Sequence, residues 1–81
     1  MVKSLHSSSY VLFRRLLSKA REDSGLTQTE VAARLRRPQS FVAKYEGGER
    51  RLDVVEFIEV CTALGIEPGN IITALRERKN Q

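Results

Sequence analysis

The stretch from Thr27 to Tyr45 constrains the fold more than any other part of the chain. It reads as two short helices joined by a tight turn. Thr27 and Glu30 have the spacing of a capping box, in which each side chain binds a backbone N–H that the start of a helix leaves unsatisfied. Pro38 suits the first position of a second helix and disfavours helical geometry at the residue before it. Two short helices with a turn between them predict a helix-turn-helix, whose second helix enters the major groove of DNA.

Three further helices are predicted, and no segment alternates apolar and polar residues over the length of a strand. Helix 1 is predicted over Tyr10 to Asp23, with Ser8 or Ser9 as its N-cap. A second capping box precedes helix 4, and Pro68 begins helix 5. The predicted fold is therefore all-α, a compact domain of five helices in which helices 2 and 3 form the helix-turn-helix. The residues predicted to face its core are Phe13, Leu16, Leu17, Ala20, Val31, Ala32, Leu35, Val42, Tyr45, Val54, Phe57, Ile58, Cys61 and Leu64.

The length of 81 residues predicts one domain, without a separate sensor or catalytic domain. We expect a flexible N-terminal segment over residues 1–9, the DNA-binding domain over 10–78 and a tail over 79–81. Cys61 is the single cysteine, so an internal disulfide is impossible and a reducing cytoplasm, in association with the nucleoid, is the expected location. No apolar run is long enough to predict a membrane span.

Few residues in the sequence suit catalysis or metal binding. His6 has no Cys or His near it that would complete a metal site. Cys61 lies on a predicted core stripe, which favours a small buried residue over a nucleophile. There is no Gly-rich phosphate loop after a strand. We therefore predict no enzyme activity, no catalytic residue, no metal and no cofactor.

The positive charge is concentrated on the helix-turn-helix and the loop after it. The chain carries a net charge of +4. Residues 34–51 contain six cations and two carboxylates, so this segment alone accounts for the whole excess. A run of charge is most often only a solvated face. Because this charge coincides with a groove-reading motif, we interpret it as a surface for DNA phosphates.

Motifs in the right order and spacing resemble the Xre/Cro/C1 helix-turn-helix domain of phage and bacterial repressors, a lambda-repressor-like fold. The resemblance extends from about residue 16 to residue 75. The motifs that carry it are Gly25-Leu26-Thr27-Gln28, Glu30-Val31-Ala32, Pro38-Gln39-Ser40-Phe41-Val42, Tyr45-Glu46-Gly47-Gly48-Glu49-Arg50 and Ala63-Leu64-Gly65-Ile66.

The resemblance implies a sequence-specific regulator of transcription, expected to be a repressor, that binds double-stranded DNA at a palindromic operator. It implies that Gln28 donates to a phosphate and braces the first residue of helix 3. It also implies a structural ion pair between Arg21 and Glu46. The implied base-reading residues are Gln39, Ser40 and Lys44. The implied backbone-contacting residues are Gln28, Arg50, Arg51 and Phe41, of which Phe41 lies near the backbone or a thymine methyl. Arg37 is predicted to contact the backbone from the motif and the charge placement.

One position departs from the family pattern. Relatives often have glycine in the turn between helices 2 and 3, where this chain has Arg36. A residue other than glycine rarely adopts a positive φ. The turn is therefore expected either to have another shape or to carry mild backbone strain.

A homodimer is expected because two copies read two half-sites about 34 Å apart and because a chain this small buries only about 60–65% of its unfolded surface. The interface candidates are Ile66, Ile71, Ile72 and Leu75. Each of them has an equally good alternative place in the core, although a single helix face cannot bury all four. Tyr10, Val11 and Leu12 are a second candidate interface. The alternative function is an antitoxin-like or adaptor module, whose main partner is another protein such as a toxin.

Overall fold

The computed structural model describes residues 7–77. Within that range the chain forms five helices and no strand. This confirms the predicted all-α fold. The first six residues of the predicted N-terminal segment, including His6, and the predicted tail over 79–81 lie outside the described residues. The helices are α1 (Ser8–Asp23), α2 (Gln28–Leu35), α3 (Gln39–Gly47), α4 (Val54–Leu64) and α5 (Pro68–Arg76).

The start of α1 differs from the prediction. The helix begins at Ser8, two residues before Tyr10, and its N-cap is Ser7 rather than Ser8 or Ser9. Ser7 has extended backbone angles (φ −67°, ψ 154°), which turn its hydroxyl towards the first amides of the helix. Its Oγ accepts a hydrogen bond of 3.1 Å from the amide of Tyr10. Residues 7–9 are all serine, which is a favoured N-cap, so the residue type alone did not identify which of them caps the helix.

The two capping boxes are present as predicted. At α2, the amide of Glu30 donates to Thr27 Oγ1 over 3.0 Å, and the amide of Thr27 donates to Glu30 Oε1 over 2.8 Å. At α4, Asp53 and Glu56 make the same reciprocal pair. Each box satisfies two backbone donors, so both helices begin at a fixed residue.

The turn that ends α2 keeps the shape usually made by glycine. Arg36 lies in the left-handed region (φ 58°, ψ 43°), and among residues 7–77 it is the only residue other than glycine with a positive φ. The amides of Arg36 and Arg37 donate back to carbonyls of the last turn of α2. Gly25 and Gly65, both with φ of 74°, make the same hydrogen-bond pattern after α1 and α4. Of the two expected alternatives, the structure has the one with backbone strain.

One face of each helix supplies the core, and α4 is rotated from its predicted orientation. Val54 and Ile58 were predicted to be buried but are 72% and 47% exposed, and Val60 lies in the core at 1% exposed. Val54 is the first residue of α4 and lies beyond the buried stripe. Ile58 is turned by about 100° from its neighbour Phe57. The buried residues are Leu17, Val31, Ala32, Phe41, Val42, Tyr45, Phe57, Val60, Cys61, Leu64 and Ile71.

α4 and α5 cross at a sharp angle. Within the described residues no single helix is long and apolar enough to cross a membrane. The pair α4 and α5 together meets the length and composition required, but it is bent by 115°.

Candidate nucleic-acid interface

α3 is anchored by one face and presents the other to solvent. Val42 and Tyr45 are 0% and 1% exposed, and they fix the helix to the core. Gln39, Ser40 and Lys44 are exposed on the other side. Their outward placement agrees with the sequence prediction, and their role in reading bases stays a prediction.

A chain of hydrogen bonds connects α1 to the first residue of α3. Arg21 Nε donates to Glu46 Oε2 over 2.8 Å, so the predicted ion pair is present. Gln28 Nε2 donates to Glu46 Oε1 over 3.0 Å. Gln39 Nε2 in turn donates to Gln28 Oε1 over 2.8 Å, which is the brace that the resemblance implied. The side chain of Gln39 is therefore connected through Gln28 and Glu46 to Arg21, which is largely buried.

The ion pair is well protected from solvent. The side chains of Arg21 and Glu46 are 15% and 7% exposed. Arg21 also donates from Nη1 to the carbonyl of Leu26, in the loop between α1 and α2. The hydrogen bond with Glu46 raises the pKa of Arg21 above its ordinary value, against the opposing effect of burial. The pair therefore joins α1, the loop after it and α3 by charged hydrogen bonds.

Two of the predicted phosphate-binding arginines are paired with carboxylates. Arg50 Nη1 and Nη2 donate to the two oxygens of Glu56 over 2.9 and 2.8 Å. Arg37 Nη2 lies 3.9 Å from Glu56 and 3.8 Å from Glu59. The hydrogen bond from Arg50 lowers the pKa of Glu56 to about 2, and the amide of Asp53 adds to this effect. Part of the positive charge counted in the sequence is therefore already balanced within the fold.

Phe41 is a buried residue between these arginines. Its ring is 8% exposed, and the guanidinium carbons of Arg37 and Arg50 lie 4.4 and 4.8 Å from its centroid. Such distances are typical of cation–π contacts. The ring thus packs in the core and supports two cations, and a direct contact of Phe41 with DNA stays a prediction.

The loop between α3 and α4 is tied to α1. The amide of Leu52 donates to Tyr10 Oη over 3.0 Å. The guanidinium carbon of Arg51 lies 5.2 Å from the centroid of the Tyr10 ring. This loop, which the sequence assigned to phosphate contacts, is therefore held in place beside α3.

Comparison with known proteins decides the family. A family of helix-turn-helix domains matches residues 12–71, which is most of the chain. The chain belongs to this helix-turn-helix family. An uncharacterized HTH-type transcriptional regulator, y4dJ of Sinorhizobium fredii (strain NBRC 101917 / NGR234), is 33% identical over 60 residues. That match covers 74% of this chain and 78% of the relative.

Solved structures agree with this assignment and with the XRE type in particular. An XRE-family like protein from Pseudomonas syringae pv. tomato is 46% identical, with a TM-score of 0.84 over 90% of this chain and 89% of that chain. The restriction-modification controller protein C.AhdI from Aeromonas hydrophila is 33% identical, with a TM-score of 0.70 over 75% and 92% of the two chains. The resemblance to the Xre/Cro/C1 type is confirmed.

Sequence reasoning missed one residue that supports α3 of this XRE-type protein. Arg14 Nη1 donates to the carbonyl of Glu46 over 3.1 Å, near the end of the helix. A Cβ added at Gly48 would lie 2.9 Å from Arg14 Cζ, so the guanidinium group lies directly under the turn that ends α3. The sequence showed Arg14 only as a polar residue away from the apolar stripe of helix 1. Its contact is 32 residues distant in the chain, and no local pattern marks it.

The XRE-type domain also exposes apolar side chains on α4 and α5. The interface candidates differ in burial: Ile71 is buried in the core, Ile66 and Leu75 pack partly against it, and Ile72 is 48% exposed. Val11 and Leu12, from the second candidate interface, are half-buried. Residues of α4 extend the exposed surface around Ile72. We name as the apolar patch the four exposed residues Val54, Val55, Ile58 and Ile72.

A groove adjoins the apolar patch. It runs between the start of α1, the loop before α4 and the outer faces of α4 and α5. Three residues of the patch, Val54, Ile58 and Ile72, line it, so patch and groove form one surface. The other apolar residues that line it are Tyr10, Phe13, Leu52, Phe57, Pro68 and Leu75.

Proposed function

We propose that this XRE-type protein is a sequence-specific regulator that binds double-stranded DNA as a homodimer, with α3 in the major groove. The observation that carries the proposal is the anchoring of α3. One face is locked in the core by Val42 and Tyr45, and Gln39 on the other face is held by Gln28. A rigid helix with fixed polar side chains is what recognition of base edges requires.

Each outward side chain has a distinct use at a base pair. The amide of Gln39 has the donor and the acceptor needed for bidentate contact with adenine N6 and N7. Its Nε2 has two hydrogens, so the bond to Gln28 leaves one for adenine. Lys44 suits a guanine acceptor or a phosphate, and Ser40 suits either kind of base edge. Arg37, Arg50, Arg51 and Gln28 are assigned to the phosphates on both sides.

The apolar patch supports the homodimer. Four exposed aliphatic side chains next to an apolar groove are more than the scattered single residues usual on a monomer. Of the interface candidates, Ile72 fits this role best because it lies on the patch. Two copies related by a two-fold axis would then present two α3 helices to half-sites about 34 Å apart on a palindromic operator.

We propose repression as the mode of regulation, in the cytoplasm at the nucleoid. A bound dimer of two small domains would block access to the DNA it covers. The apolar patch also supports the second candidate function, binding of a different protein such as a toxin. The two functions can coexist, and tight binding to such a partner with only secondary DNA binding would favour the alternative. The homodimer is tested separately by the mass of the free protein, which should be twice that of one chain.

The experiment that tests the proposal is selection of bound duplexes from a random pool at a stated salt concentration. The expected result is an enriched palindrome, in which the centres of the two half-sites are about one helical turn apart. The mass of the free protein is measured by sedimentation in the same buffer. Failure to enrich any sequence would contradict sequence-specific binding, and a monomeric mass would contradict the homodimer.

A further inference from the structure

We propose that Glu56 is a positioning residue for DNA binding, which holds Arg50 so that one edge of its guanidinium group is presented to a backbone phosphate. The inference rests on the proposed function and deepens it. It assigns to a carboxylate on α4 a part in a contact that the sequence assigned to arginine alone.

Glu56 and the backbone occupy two sides of the Arg50 guanidinium group. Nη1 and Nη2 donate to the two carboxylate oxygens of Glu56 over 2.9 and 2.8 Å, a bidentate arrangement. Nη1 also donates to the carbonyl of Arg51 over 2.8 Å. A planar group held at two of its edges has little rotational freedom left.

The ring of Phe41 contacts the same group. The ring lies 4.8 Å from Arg50 Cζ, and Arg37 lies over the ring at 4.4 Å. Two guanidinium groups this close to one ring repel each other. Glu56 lies within reach of both, since Arg37 Nη2 is 3.9 Å from its Oε2, and its charge offsets that repulsion.

One edge of Arg50 remains available. Among the contacts of the described residues, Nε and the second hydrogen of Nη2 have no hydrogen-bond partner. The side chain is 38% exposed. Nε and Nη2 form the second two-donor fork of a guanidinium group, and such a fork matches two oxygens of a phosphate. A fork that is already oriented loses less entropy when it binds.

Removing the charge of Glu56 should change DNA affinity in opposite directions, depending on whether Glu56 orients Arg50 or acts only through its charge. A carboxylate beside a phosphate site repels the phosphate, so removing its charge should by itself tighten DNA binding. If Glu56 orients Arg50, removing the charge should weaken binding, although the net charge of the protein becomes more positive.

The test compares Glu56→Gln with Glu59→Gln. Glutamine at 56 keeps an oxygen that can accept from the amide of Asp53, so the capping box is retained. Glu59→Gln is the matched control: it makes the same charge change one turn along α4, at a residue whose ion pair is with Arg37 and not Arg50. DNA affinity is measured by fluorescence anisotropy at several salt concentrations between about 50 and 200 mM, so that the dependence of affinity on salt can be determined. The probes are a duplex selected from the random pool and a random-sequence duplex of equal length.

Glu56→Gln is expected to lower the affinity for both duplexes by about threefold to tenfold. The slope of log affinity against log salt concentration should become shallower by about 0.9, the value for one phosphate contact. Glu59→Gln is expected to leave affinity unchanged or tighten it. In an Arg50→Ala background, Glu56→Gln should cause no further weakening. Arg50→Lys keeps the charge and leaves Glu56 in place, but lacks the fork, and should weaken binding as Glu56→Gln does.

Equal tightening by Glu56→Gln and Glu59→Gln would overturn the positioning role, and so would full affinity in Arg50→Lys. In either case wild-type binding would still stand, and with it the proposed function. If the wild-type protein bound neither duplex at low salt, the proposed function itself would fail, together with this inference.

Discussion

At the scale of single residues, an exposed side chain of α3 is held by hydrogen bonds to residues nearer the core. Gln39 is exposed, yet its amide is bound to Gln28, which is bound to Glu46. The sequence predicted which residues face outward because helical periodicity follows from spacing alone. It could not show that Arg50 is bound by Glu56, because that contact depends on where the loop after α3 lies.

Gln39→Ala should reduce the affinity for the selected site by about 1–3 kcal/mol, because one bidentate base contact is lost. The preference at one base pair of each half-site should flatten. The measurement is a competition assay against duplexes that vary at that position. Thr73→Ala, on α5, is the control and should change neither quantity. A selection with Gln39→Ala that returned the wild-type motif would remove Gln39 from the base-reading residues.

Arg36→Gly should stabilise the fold by about 1 kcal/mol, because the left-handed conformation costs an arginine but not a glycine. The gain is partly offset by the greater freedom of glycine in the unfolded chain. Urea unfolding followed by circular dichroism measures it. Arg34→Gly is the contrasting change, since that residue lies inside α2 and should lose about 1 kcal/mol. A destabilised Arg36→Gly variant would show that the side chain contributes more than the strain costs.

At the scale of helices, local signals were sufficient where both partners lie close in sequence. The capping boxes at α2 and α4 involve residues three apart, and both form as predicted. The rotation of α4 was not predictable in this way. Val54, Val55 and Ile58 are as apolar as the residues that are buried, and the positions of the neighbouring helices, α2 and α5 among them, determine which face of α4 is covered.

The ion pair between α1 and α3 should contribute strongly to the coupling of these helices. Arg21→Met removes the charge but keeps an apolar stem, and leaves Glu46 largely buried without its main partner. The expected loss in the free energy of unfolding is about 3 kcal/mol. Urea unfolding provides the measurement.

The exposed pair of Lys19 and Asp23 provides the matched control for that measurement. Its side chains are 73% and 65% exposed, so Lys19→Ala should change stability by less than about 0.5 kcal/mol. The double variant Arg21→Met with Glu46→Leu should lose less than the sum of its single changes, since no unpaired charge remains. Equal losses for Arg21→Met and Lys19→Ala would contradict a special role for the buried pair.

At the scale of the whole molecule, the predicted base-reading residues and the apolar patch lie on different helices. α3 carries the predicted base-reading residues, and α4 with α5 carries the patch. Because the two surfaces share no residue, association with a partner and contact with bases can be changed separately by mutation.

Ile58→Ser together with Ile72→Ser should shift the proposed homodimer to a monomer without unfolding it, because both side chains are about half exposed in the single chain. Sedimentation at several protein concentrations measures the change. Thr73→Ser is the control on α5. Affinity for a single half-site should be retained, while affinity for the full palindrome should fall. A double variant with the sedimentation behaviour of the wild-type protein would exclude the patch as the interface.

The bond between Gln28 and Gln39 has a consequence for attempts to give this protein a new operator. Substituting Gln39 alone leaves Gln28 Oε1 without its donor, because Gln28 is placed to bind an amide at position 39. A library that varies residues 28 and 39 together therefore includes combinations in which the side chain at position 28 can bind and hold the new base-reading side chain at position 39. We expect altered operator preferences to arise from pairs in that library more often than from changes at Gln39 alone.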